Sequence, residues 1–458
     1  MLNQDFFGIY LVKPQKSQAV KTLKGAVQVP GDKSISHRAL MIGGLAIGQT
    51  NIEGLLEGED VLATAAALRA LGVSVEKTGA ASWQVRGVGL GGLQEPETVL
   101  EMGNSGTAAR LLAGVLAGHP VSATLTGDAS LNARPMGRII DPLKLMGATF
   151  QCRSGGRLPL SITGRADPLP IEYHMPVASA QVKSAILLAG LSAPGVTRVV
   201  EPKPTRDHSE LMLRHFGARV DVEDLPGGGR AVSIHGQPEL TGRNIIVPGD
   251  ISSAAFPMVA ALIVPGAKLS LPGVGVNPLR CGLIETLQEM GGSVVCQNQR
   301  SEAGEAVADL SVTGSALRGI TVPADRAPSM IDEYPVLAVA AACAHGTTRL
   351  EGLSELRVKE SDRLGGMARG LAACGVALEE GEDFLVIHGT GVPPKGGVKI
   401  ETALDHRIAM AFLVLGMVSH EPISIDDASP IETSFPGFTA LMNGLGANIE
   451  DEEISSDE

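Results

Sequence analysis

The chain has 458 residues, of which 44% are hydrophobic and only 3% aromatic, and its formal net charge is −13 at pH 7. This length is typical of two or three domains whose core is built mainly from aliphatic side chains. The acidic balance argues against a nucleic-acid or anionic-membrane surface, although a local group of cations can still bind an anionic small molecule. The longest apolar runs, 335–344 and 408–418, are shorter than the roughly 18 residues that a membrane span needs.

The cysteines indicate a reducing compartment. They are odd in number and widely spaced, they form no C-x-x-C pair, and they are Cys152, Cys281, Cys296, Cys343 and Cys374. The apolar stretch 6–12 has no basic residue before it and no small-residue cleavage site after it, so we expect no signal peptide. We therefore expect a cytoplasmic protein with reduced thiols and without cysteine-bound metal.

The first informative stretch in chain order is Pro-Gly-Asp-Lys-Ser-Ile-Ser-His-Arg at 30–38. A Pro-Gly turn leads into Asp32 and Ser34, residue types that cap helix N-termini, and an apolar helix is predicted to follow. The free N–H groups of a helix start, together with Lys33 and Arg38, form a suitable seat for an anion. An ordinary capped helix with solvated charges is the alternative, and this stretch alone does not decide between them.

Units of this kind recur along the chain. Polar turns followed by Ala-rich apolar helices begin near Gly31, Gly103, Pro176, Gly249, Pro328 and Leu404. Behind each come a short strand and a second helix that ends in an apolar-Gly-small pattern, first seen at 71–75. Glycine supplies the left-handed residue after a helix, and the β-branched residues that follow it favour a strand. The sequence therefore predicts six α/β units of βαβαββ type.

The repeat also has a half-period. Val-Pro-Gly-Asp-x-Ser occurs at 29–34 and again at 247–252, where the fourth unit begins. Two halves of three units each are the simplest account, with the chain crossing between them at about 29–33 and 246–250. Two such crossovers suggest a hinge that closes on the first substrate.

These crossovers define the predicted domains. One domain spans 31–247, and the other combines 1–30 with 248–458. Residues 1–20 are expected to form a loosely held extension, and the acidic tail 450–458 is expected to be disordered.

Unusual polar residues gather at the predicted first-helix starts. In the N-terminal half they are Lys33, Ser34, Arg38, Asn104, Ser105, Thr107, Ser179 and Gln181. In the C-terminal half they are Asp332, Glu333, Asp405, His406 and Arg407. The loops 126–136 and 357–363 add further charges. If equivalent elements share one face of each half, two walls of helix N-termini face each other across a cleft suited to phosphate and carboxylate groups.

The motifs resemble those of a known family. They are PGDKSISHR, GNSGT, GDASLNARPM, ASAQVKSA, RVKESDRL and LDHRIAM, in this order and spacing. Over about 24–449 the chain resembles the 5-enolpyruvylshikimate-3-phosphate synthases, enolpyruvyl transferases of the shikimate pathway. The resemblance implies a two-domain inside-out α/β barrel of six βαβαββ units. It also implies transfer of the enolpyruvyl group from phosphoenolpyruvate to shikimate 3-phosphate, with release of phosphate.

The resemblance further implies the substrate contacts. Those expected for shikimate 3-phosphate are Lys33, Ser34, Arg38, Ser179, Ala180, Gln181, Arg206, Asp332 and Lys359. Those expected around phosphoenolpyruvate are Lys33, Gly106, Arg134, Gln181, Arg363 and Arg407, and Asn104 and Thr107 complete the substrate-binding set.

The chemistry requires two proton transfers, because the 5-hydroxyl loses a proton while the methylene of phosphoenolpyruvate gains one. Asp332 is the expected base and Glu360 the expected acid, provided that their surroundings keep them in different protonation states. Lys33 and the arginines stabilise charge on phosphate and carboxylate. No metal or organic cofactor is expected, and a monomer acting on these two small molecules is the expected form.

Some features depart from the family or compete with a functional interpretation. Thr433 stands where some relatives carry a lysine, which puts one cationic contact in doubt. Relatives with alanine at the Gly106 position tolerate glyphosate, so Gly106 suggests a sensitive enzyme. The G-x-G-x-x-G at 87–92 is interpreted as a turn and not a nucleotide loop, because no helix start follows. Structural roles are favoured for the histidines His37, His208 and His406.

Two other functions remain open. An enolpyruvyl transferase acting on UDP-N-acetylglucosamine would share the fold, but it carries a cysteine in the loop before its Arg-Pro, where this chain has Ala129. A non-catalytic binder of phosphorylated metabolites is the third possibility. The two carboxylates Asp332 and Glu360 argue against it, since a binder of anions gains nothing from them.

Overall fold

The computed structural model describes residues 12–452, and within that range the chain alternates short strands with helices. The strands are β1 (Gln15–Gln18), β2 (Lys24–Ala26), β3 (Ile47–Glu53), β4 (Ser74–Gly79), β5 (Ser82–Val88), β6 (Leu100–Glu101), β7 (Ser122–Thr126), β8 (Thr149–Arg153), β9 (Arg157–Thr163), β10 (Glu172–His174), β11 (Val196–Glu201), β12 (Val220–Asp224), β13 (Arg230–His235), β14 (Asn244–Ile246), β15 (Lys268–Gly275), β16 (Ser293–Glu302), β17 (Glu305–Thr313), β18 (Thr321–Val322), β19 (His345–Leu350), β20 (Ala377–Glu380), β21 (Leu385–Thr390), β22 (Lys399–Ile400), β23 (Ile423–Ile425) and β24 (Asn448–Asp451).

The helices fall into two sets. The first helix of each unit is α1 (Lys33–Leu45), α3 (Gly106–Ala117), α6 (Ala180–Gly190), α8 (Ile251–Ile263), α10 (Tyr334–Cys343) or α12 (His406–Gly416). The others are α2 (Glu59–Ala70), α4 (Ala129–Ala133), α5 (Gly137–Leu145), α7 (His208–His215), α9 (Gly282–Glu289), α11 (Arg363–Ala373) and α13 (Phe438–Gly444). Among the described residues, no helix combines the length and apolar character needed to cross a membrane.

The strands form six four-stranded sheets of one pattern. In the N-terminal half the orders are β14-β3-β5-β4, β6-β7-β9-β8 and β10-β11-β13-β12, and in the C-terminal half they are β2-β15-β17-β16, β18-β19-β21-β20 and β22-β23-β1-β24. In every sheet the first two strands are parallel and the remaining neighbours are antiparallel. This repetition confirms the six predicted βαβαββ units.

Three of the sheets are completed by strands distant in sequence. β14 supplies the first strand of the first sheet, and β2 supplies the first strand of the fourth. β1 lies between β23 and β24 in the last sheet, and its Ser17 is fully buried. The expectation of a loose extension over 1–20 is therefore wrong for 15–18, and residues 1–11 lie outside the described range. Likewise, β24 includes the start of the predicted tail, whereas 453–458 lie outside that range.

The first helices occupy the inside of each half and the sheets the outside. Every residue of α12 is buried, as are eleven of the thirteen residues of α1, from Ile35 to Leu45. Strands such as β9 instead alternate buried and exposed residues, since only one face of each sheet meets the helices. The buried apolar residues divide into one cluster within 35–247 and another that joins 23–29 to 251–449. The fold is thus a two-domain inside-out α/β barrel.

The two crossover segments lie side by side. The N–H of Asp32 donates to the carbonyl of Pro248, and the N–H of Asp250 donates to the carbonyl of Pro30, each over 2.8 Å. Gly31 permits this close packing, because a Cβ there would lie 3.0 Å from Cγ1 of Val247 in the second crossover and 1.9 Å from the carbonyl oxygen of Gly54. Asp32 then caps α1 and Asp250 caps α8 through their side chains, as their residue types predict.

The G-x-G-x-x-G stretch is a turn, as predicted. β5 ends at Val88, and the residues after it form a turn and then irregular structure without a helix start. A phosphate-binding loop needs the N-terminus of a helix directly after its glycines, so this stretch has no such role.

Candidate active site

The N-terminus of α1 opens at the junction of the two halves. Nζ of Lys33, its first residue, lies 2.9 Å from Oδ2 of Asp60. The backbone N–H of Lys33 donates to Oδ2 of Asp250, at the start of α8 in the other half, over 3.3 Å. Burial lowers the pKa of Lys33, but the carboxylate of Asp60 outweighs burial and the pKa is raised overall. Lys33 therefore carries a full charge where the helix starts of both halves meet.

Arg38 is directed into its own half. Its guanidinium donates to the carbonyl of Ser34 and to Oγ of Ser184 over 2.8 Å, and to Oγ of Ser209 over 2.7 Å. The residue is 4% exposed, and burial lowers its pKa to about 10. Arg38 thus joins α1 to α6 and α7 behind Ser34, and its contact with shikimate 3-phosphate stays a prediction.

The start of α3 forms an adjoining wall with the loop before α5. Nη2 of Arg134 donates to Oδ1 of Asn104 over 2.5 Å. Gly106 faces the same guanidinium, since a Cβ added there would lie 3.4 Å from Nη1 of Arg134. Nε2 of Gln181, in the first turn of α6, donates to Oγ1 of Thr107 over 3.1 Å. The structure thus brings together predicted residues from three separate motifs.

Arg110 also belongs to this wall, although no motif singles it out. Its Nη1 donates to Oε1 of Gln181 over 3.0 Å, and a Cβ at Gly106 would lie 2.7 Å from that nitrogen. Burial, and then the positive charge of Arg134, lower the pKa of Arg110 to about 10. One signal could have found it: Arg110 follows Gly106 by four residues, which places the two on one helix face.

The remaining helix starts of the N-terminal half are less charged. Ser179 caps α6 by accepting from the N–H of Val182 over 3.4 Å, and Ala180 is the first residue of that helix. Both are partly exposed, as is Ser34 in the first turn of α1. These positions present small side chains and backbone N–H groups, which suit a phosphate or a hydroxyl group.

Arg363 joins the carboxylates of the opposite wall. It is 1% exposed, and its Nε donates to Oδ2 of Asp405 over 2.8 Å. Its Nη2 donates to Oε2 of Glu360 over 2.5 Å, and its Nη1 lies 3.3 Å from Oδ1 of Asp332. The planar guanidinium, with five N–H donors in fixed directions, holds the two predicted catalytic carboxylates in one arrangement.

Asp332 is also held from the other half of the molecule. Its Oδ2 accepts from Nη2 of Arg206 over 2.8 Å, and Nζ of Lys359 lies 3.9 Å from its Oδ1. Nη1 of Arg407 donates to the backbone carbonyl of Asp332 over 2.9 Å. Burial alone would raise the pKa of Asp332, but the surrounding cations, above all Lys359 and Arg206, hold it well below its usual range.

Glu360 is ionised as well. Burial alone would raise the pKa of Glu360, but the surrounding cations, above all Arg363, together outweigh burial and hold the pKa below its usual range. Arg134 and Lys33 of the other half act on it in the same direction. The condition that the two carboxylates differ in protonation is therefore not met by the protein's own groups. Asp332 suits the role of a base, whereas Glu360 must gain a proton before it can act as an acid.

The histidines near these walls are packed residues. Burial lowers the pKa of His37 to about 3, and its Nδ1 lies 2.7 Å from Oγ1 of Thr64. Burial likewise lowers the pKa of His406 to about 3. Both are neutral at physiological pH, in agreement with the structural roles favoured for them. His208, also buried, contacts Glu305 of the other half.

Thr433 lies where the two halves approach each other. A Cβ at Gly58 would be only 2.5 Å from the carbonyl oxygen of Thr433, so the turn before α2 touches the opposite half here. The hydroxyl of Thr433 donates to the carbonyl of Pro430 over 2.8 Å. The next residue, Ser434, lines a cleft together with Lys33, Asp250, Ser252, Ser253, Phe256, Arg407 and Met410.

Known proteins share both the sequence and the fold. The family described as EPSP synthase (3-phosphoshikimate 1-carboxyvinyltransferase) matches residues 17–442. The 3-phosphoshikimate 1-carboxyvinyltransferase of Paramagnetospirillum magneticum is 61% identical over 439 residues, which cover 96% of this chain and 98% of that protein. The enzyme of the same name from Rhodospirillum rubrum is 60% identical over 441 residues, which cover 95% of this chain and 98% of that protein.

Solved structures agree. The EPSP synthase of Acinetobacter baumannii superposes with a TM-score of 0.88 at 48% identity, covering 96% of this chain and all of that one. The enolpyruvyl transferase NikO of Streptomyces tendae, at 17% identity and a TM-score of 0.75, shares the fold. The match to the family over nearly the whole chain, with relatives at about 60% identity, means that this chain belongs to the EPSP synthase (3-phosphoshikimate 1-carboxyvinyltransferase) family.

Proposed function

We propose that the cleft between the two halves transfers the enolpyruvyl group of phosphoenolpyruvate to the 5-hydroxyl of shikimate 3-phosphate and releases phosphate. This reaction belongs to the shikimate pathway, which leads to chorismate and the aromatic amino acids. The observation that carries the proposal is the contact of one buried guanidinium, that of Arg363, with both Asp332 and Glu360. It keeps a base and a potential acid at a fixed separation beside the cations of the opposite wall.

The cations divide between the two substrates. We assign Lys33, Ser34, Ser179, Ala180, Arg206 and Lys359 to shikimate 3-phosphate, with Arg38 behind them. We assign Arg110, Arg134, Arg363 and Arg407 to the phosphate and carboxylate of phosphoenolpyruvate, with Gly106 leaving room between them. Arginine suits this task because its fork of donors matches both kinds of oxyanion. Lys33, which lies at the junction, contacts both substrates.

The addition step forms a carbon–oxygen bond. Asp332 accepts the proton of the 5-hydroxyl, the oxygen attacks the second carbon of phosphoenolpyruvate, and the methylene takes a proton from Glu360 to become a methyl group. In the elimination step the methyl group returns a proton to Glu360 while the carbon–phosphate oxygen bond breaks. Phosphate then leaves, and the proton held by Asp332 can pass to it. Each group ends as it began, so no further reactant is needed.

Substrate binding explains how Glu360 obtains its proton. The guanidinium of Arg363 and the positive charges of Arg134 and Lys33 keep it ionised. A bound phosphate and carboxylate neutralise these cations, and the pKa of Glu360 then rises because burial remains while its counterions are shared. Two carboxylates that are alike in the protein alone thereby become different in the complex.

The two halves are proposed to work as domains 31–247 and 1–30 plus 248–458, turning about the paired crossovers. The contact of Asp32 with Pro248 and of Asp250 with Pro30 supports a hinge at this place. We further propose that the protein acts as a monomer in the cytoplasm. The cysteines support this location, since the five thiols are free.

A phosphate-release assay tests the function. Purified protein is given phosphoenolpyruvate with shikimate 3-phosphate in one reaction and with UDP-N-acetylglucosamine in another. Release with shikimate 3-phosphate alone is the expected result. Release only with the nucleotide sugar would support the alternative transferase, and release with neither acceptor would leave a binding protein.

A further inference from the structure

Four polar side chains, three buried and one partly exposed, form a ring of contacts between the two halves. Asp207 and His208, adjacent at the start of α7, face Asn277 and Glu305 of the other half. Nδ2 of Asn277 lies 2.7 Å from Oδ1 of Asp207 and 3.1 Å from Oε2 of Glu305. Oε1 of Glu305 lies 2.7 Å from Nδ1 of His208, and the backbone that joins His208 to Asp207 closes the ring.

The donors and acceptors of this ring are fixed by its chemistry. Oδ1 of Asn277 accepts from the N–H of Leu279 over 2.9 Å, so its Nδ2 group must face the carboxylates. Burial alone would raise the pKa of Glu305, but His208 and Asn277, with the charge of Arg38, together outweigh burial and lower it, so the side chain is ionised. An ionised carboxylate only accepts, and therefore Nδ1 of His208 donates to it.

Burial makes the ring costly to break. His208 and Glu305 are each 2% exposed, and Asn277 is 4% exposed. A polar group at such a place loses its water and is stable only while its hydrogen-bond partners remain. The ring therefore fixes the position of the Asp207–His208 backbone against the opposite half.

The residue just before the ring is Arg206, whose side chain reaches Asp332. Its other neighbour, Thr205, is tied down within its own half: the hydroxyl donates to Oε2 of Glu201 over 2.6 Å, and the carbonyl accepts from Nζ of the fully buried Lys183 over 3.3 Å. Arg206 thus lies between two anchors, one in each half. Its own side chain is 21% exposed and is the member of this segment that faces the cleft.

We propose that Asn277 and Glu305 are positioning residues for Arg206, which they hold at the cleft through Asp207 and His208. This inference rests on the proposed function, in which Arg206 binds the phosphate of shikimate 3-phosphate. The two residues touch neither substrate. They act by keeping the backbone of Arg206 at a fixed distance from the opposite wall, so that its guanidinium is already in place when the substrate arrives.

Two isosteric changes weaken the ring without changing its size. Asn277→Asp brings a third carboxylate against Asp207 and Glu305, and Glu305→Gln removes the negative charge that Asn277 and His208 contact. We expect each to raise the dissociation constant for shikimate 3-phosphate, measured by calorimetry, about tenfold, the size typical of one lost charge-assisted hydrogen bond. The value of kcat at saturating substrate is expected to stay nearly unchanged, because the loss falls on binding.

A triple variant remakes the ring with its polarity reversed. In Asp207→Asn/Asn277→Asp/Glu305→Gln, the introduced Asn and Gln amides both donate to the introduced Asp, and His208 still donates to the Gln carbonyl. We expect this variant to bind shikimate 3-phosphate as tightly as the unchanged protein. If the single variants do not fold, the test of the proposal rests on the affinity of the triple variant for shikimate 3-phosphate. A folded triple variant that binds weakly would overturn the proposal.

The controls are matched in residue type, and both lie on β16, the strand that pairs with the β17 strand of Glu305. Asn298→Asp and Glu302→Gln alter side chains that contact Asp309 and Arg300, away from the cleft, and should leave the dissociation constant unchanged. Binding by Asn277→Asp and Glu305→Gln equal to that of these controls would refute the positioning role. Arg206→Ala distinguishes a failure of the proposed role of Arg206 from a failure of the positioning inference. If Arg206→Ala binds shikimate 3-phosphate normally, the proposed role of Arg206 is wrong. If Arg206→Ala binds it weakly but Asn277→Asp and Glu305→Gln bind it normally, the positioning inference is wrong.

Discussion

Arg206 of the N-terminal half lies 2.8 Å from Asp332 of the C-terminal half, so a cation assigned to the substrate's phosphate also contacts the carboxylate assigned as the base. The contact is partly buried, with side-chain exposures of 21% and 18%. A cation shared in this way keeps the base ionised, and a phosphate that draws the guanidinium toward itself weakens this contact. The basicity of Asp332 then increases as the first substrate binds.

Replacing Arg206 should therefore change the acid side of the pH–rate profile. In Arg206→Gln a cation that lowers the pKa of Asp332 is missing, so that pKa rises toward its usual value. A base is active above its pKa, and we expect the acid limb of kcat/KM to move to higher pH. The measurement is the pH dependence of phosphate release. Arg198→Gln, which alters an exposed ion pair with Glu223, should leave the limb in place, and an unmoved limb in Arg206→Gln would contradict the role given to Asp332.

Removing the acid should stop turnover without preventing binding. Glu360→Gln keeps the size of the side chain but cannot deliver and take back a proton. We expect kcat to fall at least about 100-fold, the contribution typical of a positioned general acid, with little change in the dissociation constant of shikimate 3-phosphate. Single-turnover kinetics and calorimetry measure the two quantities. Glu379→Gln, at an exposed glutamate beside His388, is the control, and unchanged turnover in Glu360→Gln would exclude Glu360 from proton transfer.

A methyl group at Gly106 should act through Arg110. The added Cβ would lie 2.7 Å from Nη1 of Arg110, the end of a flexible side chain, so the guanidinium can shift and the fold should survive. We expect Gly106→Ala to weaken inhibition by glyphosate more than it raises the KM for phosphoenolpyruvate. Inhibition constants measured against phosphoenolpyruvate test this. Gly137→Ala, where a Cβ meets no atom within 4 Å, is the matched control. Equal inhibition of the Gly106→Ala variant and the unchanged enzyme would contradict the prediction.

The buried His37 should make folding stability depend on pH. Its pKa is about 3 in the folded protein, against 6.5 for an ordinary histidine, so between these values the unfolded chain binds the extra proton. This stability is fully present above pH 6.5 and is lost as pH falls toward 3, at about 1.4 kcal/mol per pH unit. We expect His37→Asn to remove that slope between pH 6 and pH 5, as measured by urea unfolding. The exposed His420 provides the control His420→Asn, and an unchanged slope in His37→Asn would show that His37 titrates normally.

The architecture could be predicted from the sequence because each repeat is marked by residues whose effect on the backbone is local. Asp32 and Asp250 cap equivalent helices, and glycines such as Gly72 occupy left-handed positions after the second helices. The strand β1 was missed because Gln-Lys-Ser-Gln has no apolar alternation. Its place depends on β23 and β24, which lie more than 400 residues away.

Site residues that belong to a motif could be predicted from the sequence. The direction and protonation state of a side chain were harder to predict, because they depend on neighbours that are distant in sequence. Asp332, Glu360 and Arg363 meet as their motifs imply. Arg38 points inward because it donates to serines on two other helices, and no local sequence pattern indicates these contacts. Likewise, the ionised state of Glu360 depends on cations from both halves, and protonation states cannot be inferred from motif spacing alone.

The position of β1 and β2 affects the order in which the protein can fold during synthesis. The cluster within 35–247 is complete once the ribosome has passed β14, whereas the sheet containing β1 needs residues as late as Asp451. β1 must therefore wait, unpaired, for almost the whole chain, whereas β2 waits only until β15 has been made. A deletion of residues 15–26 would leave the N-terminal half able to fold, but it would take one strand from each of two sheets in the other half.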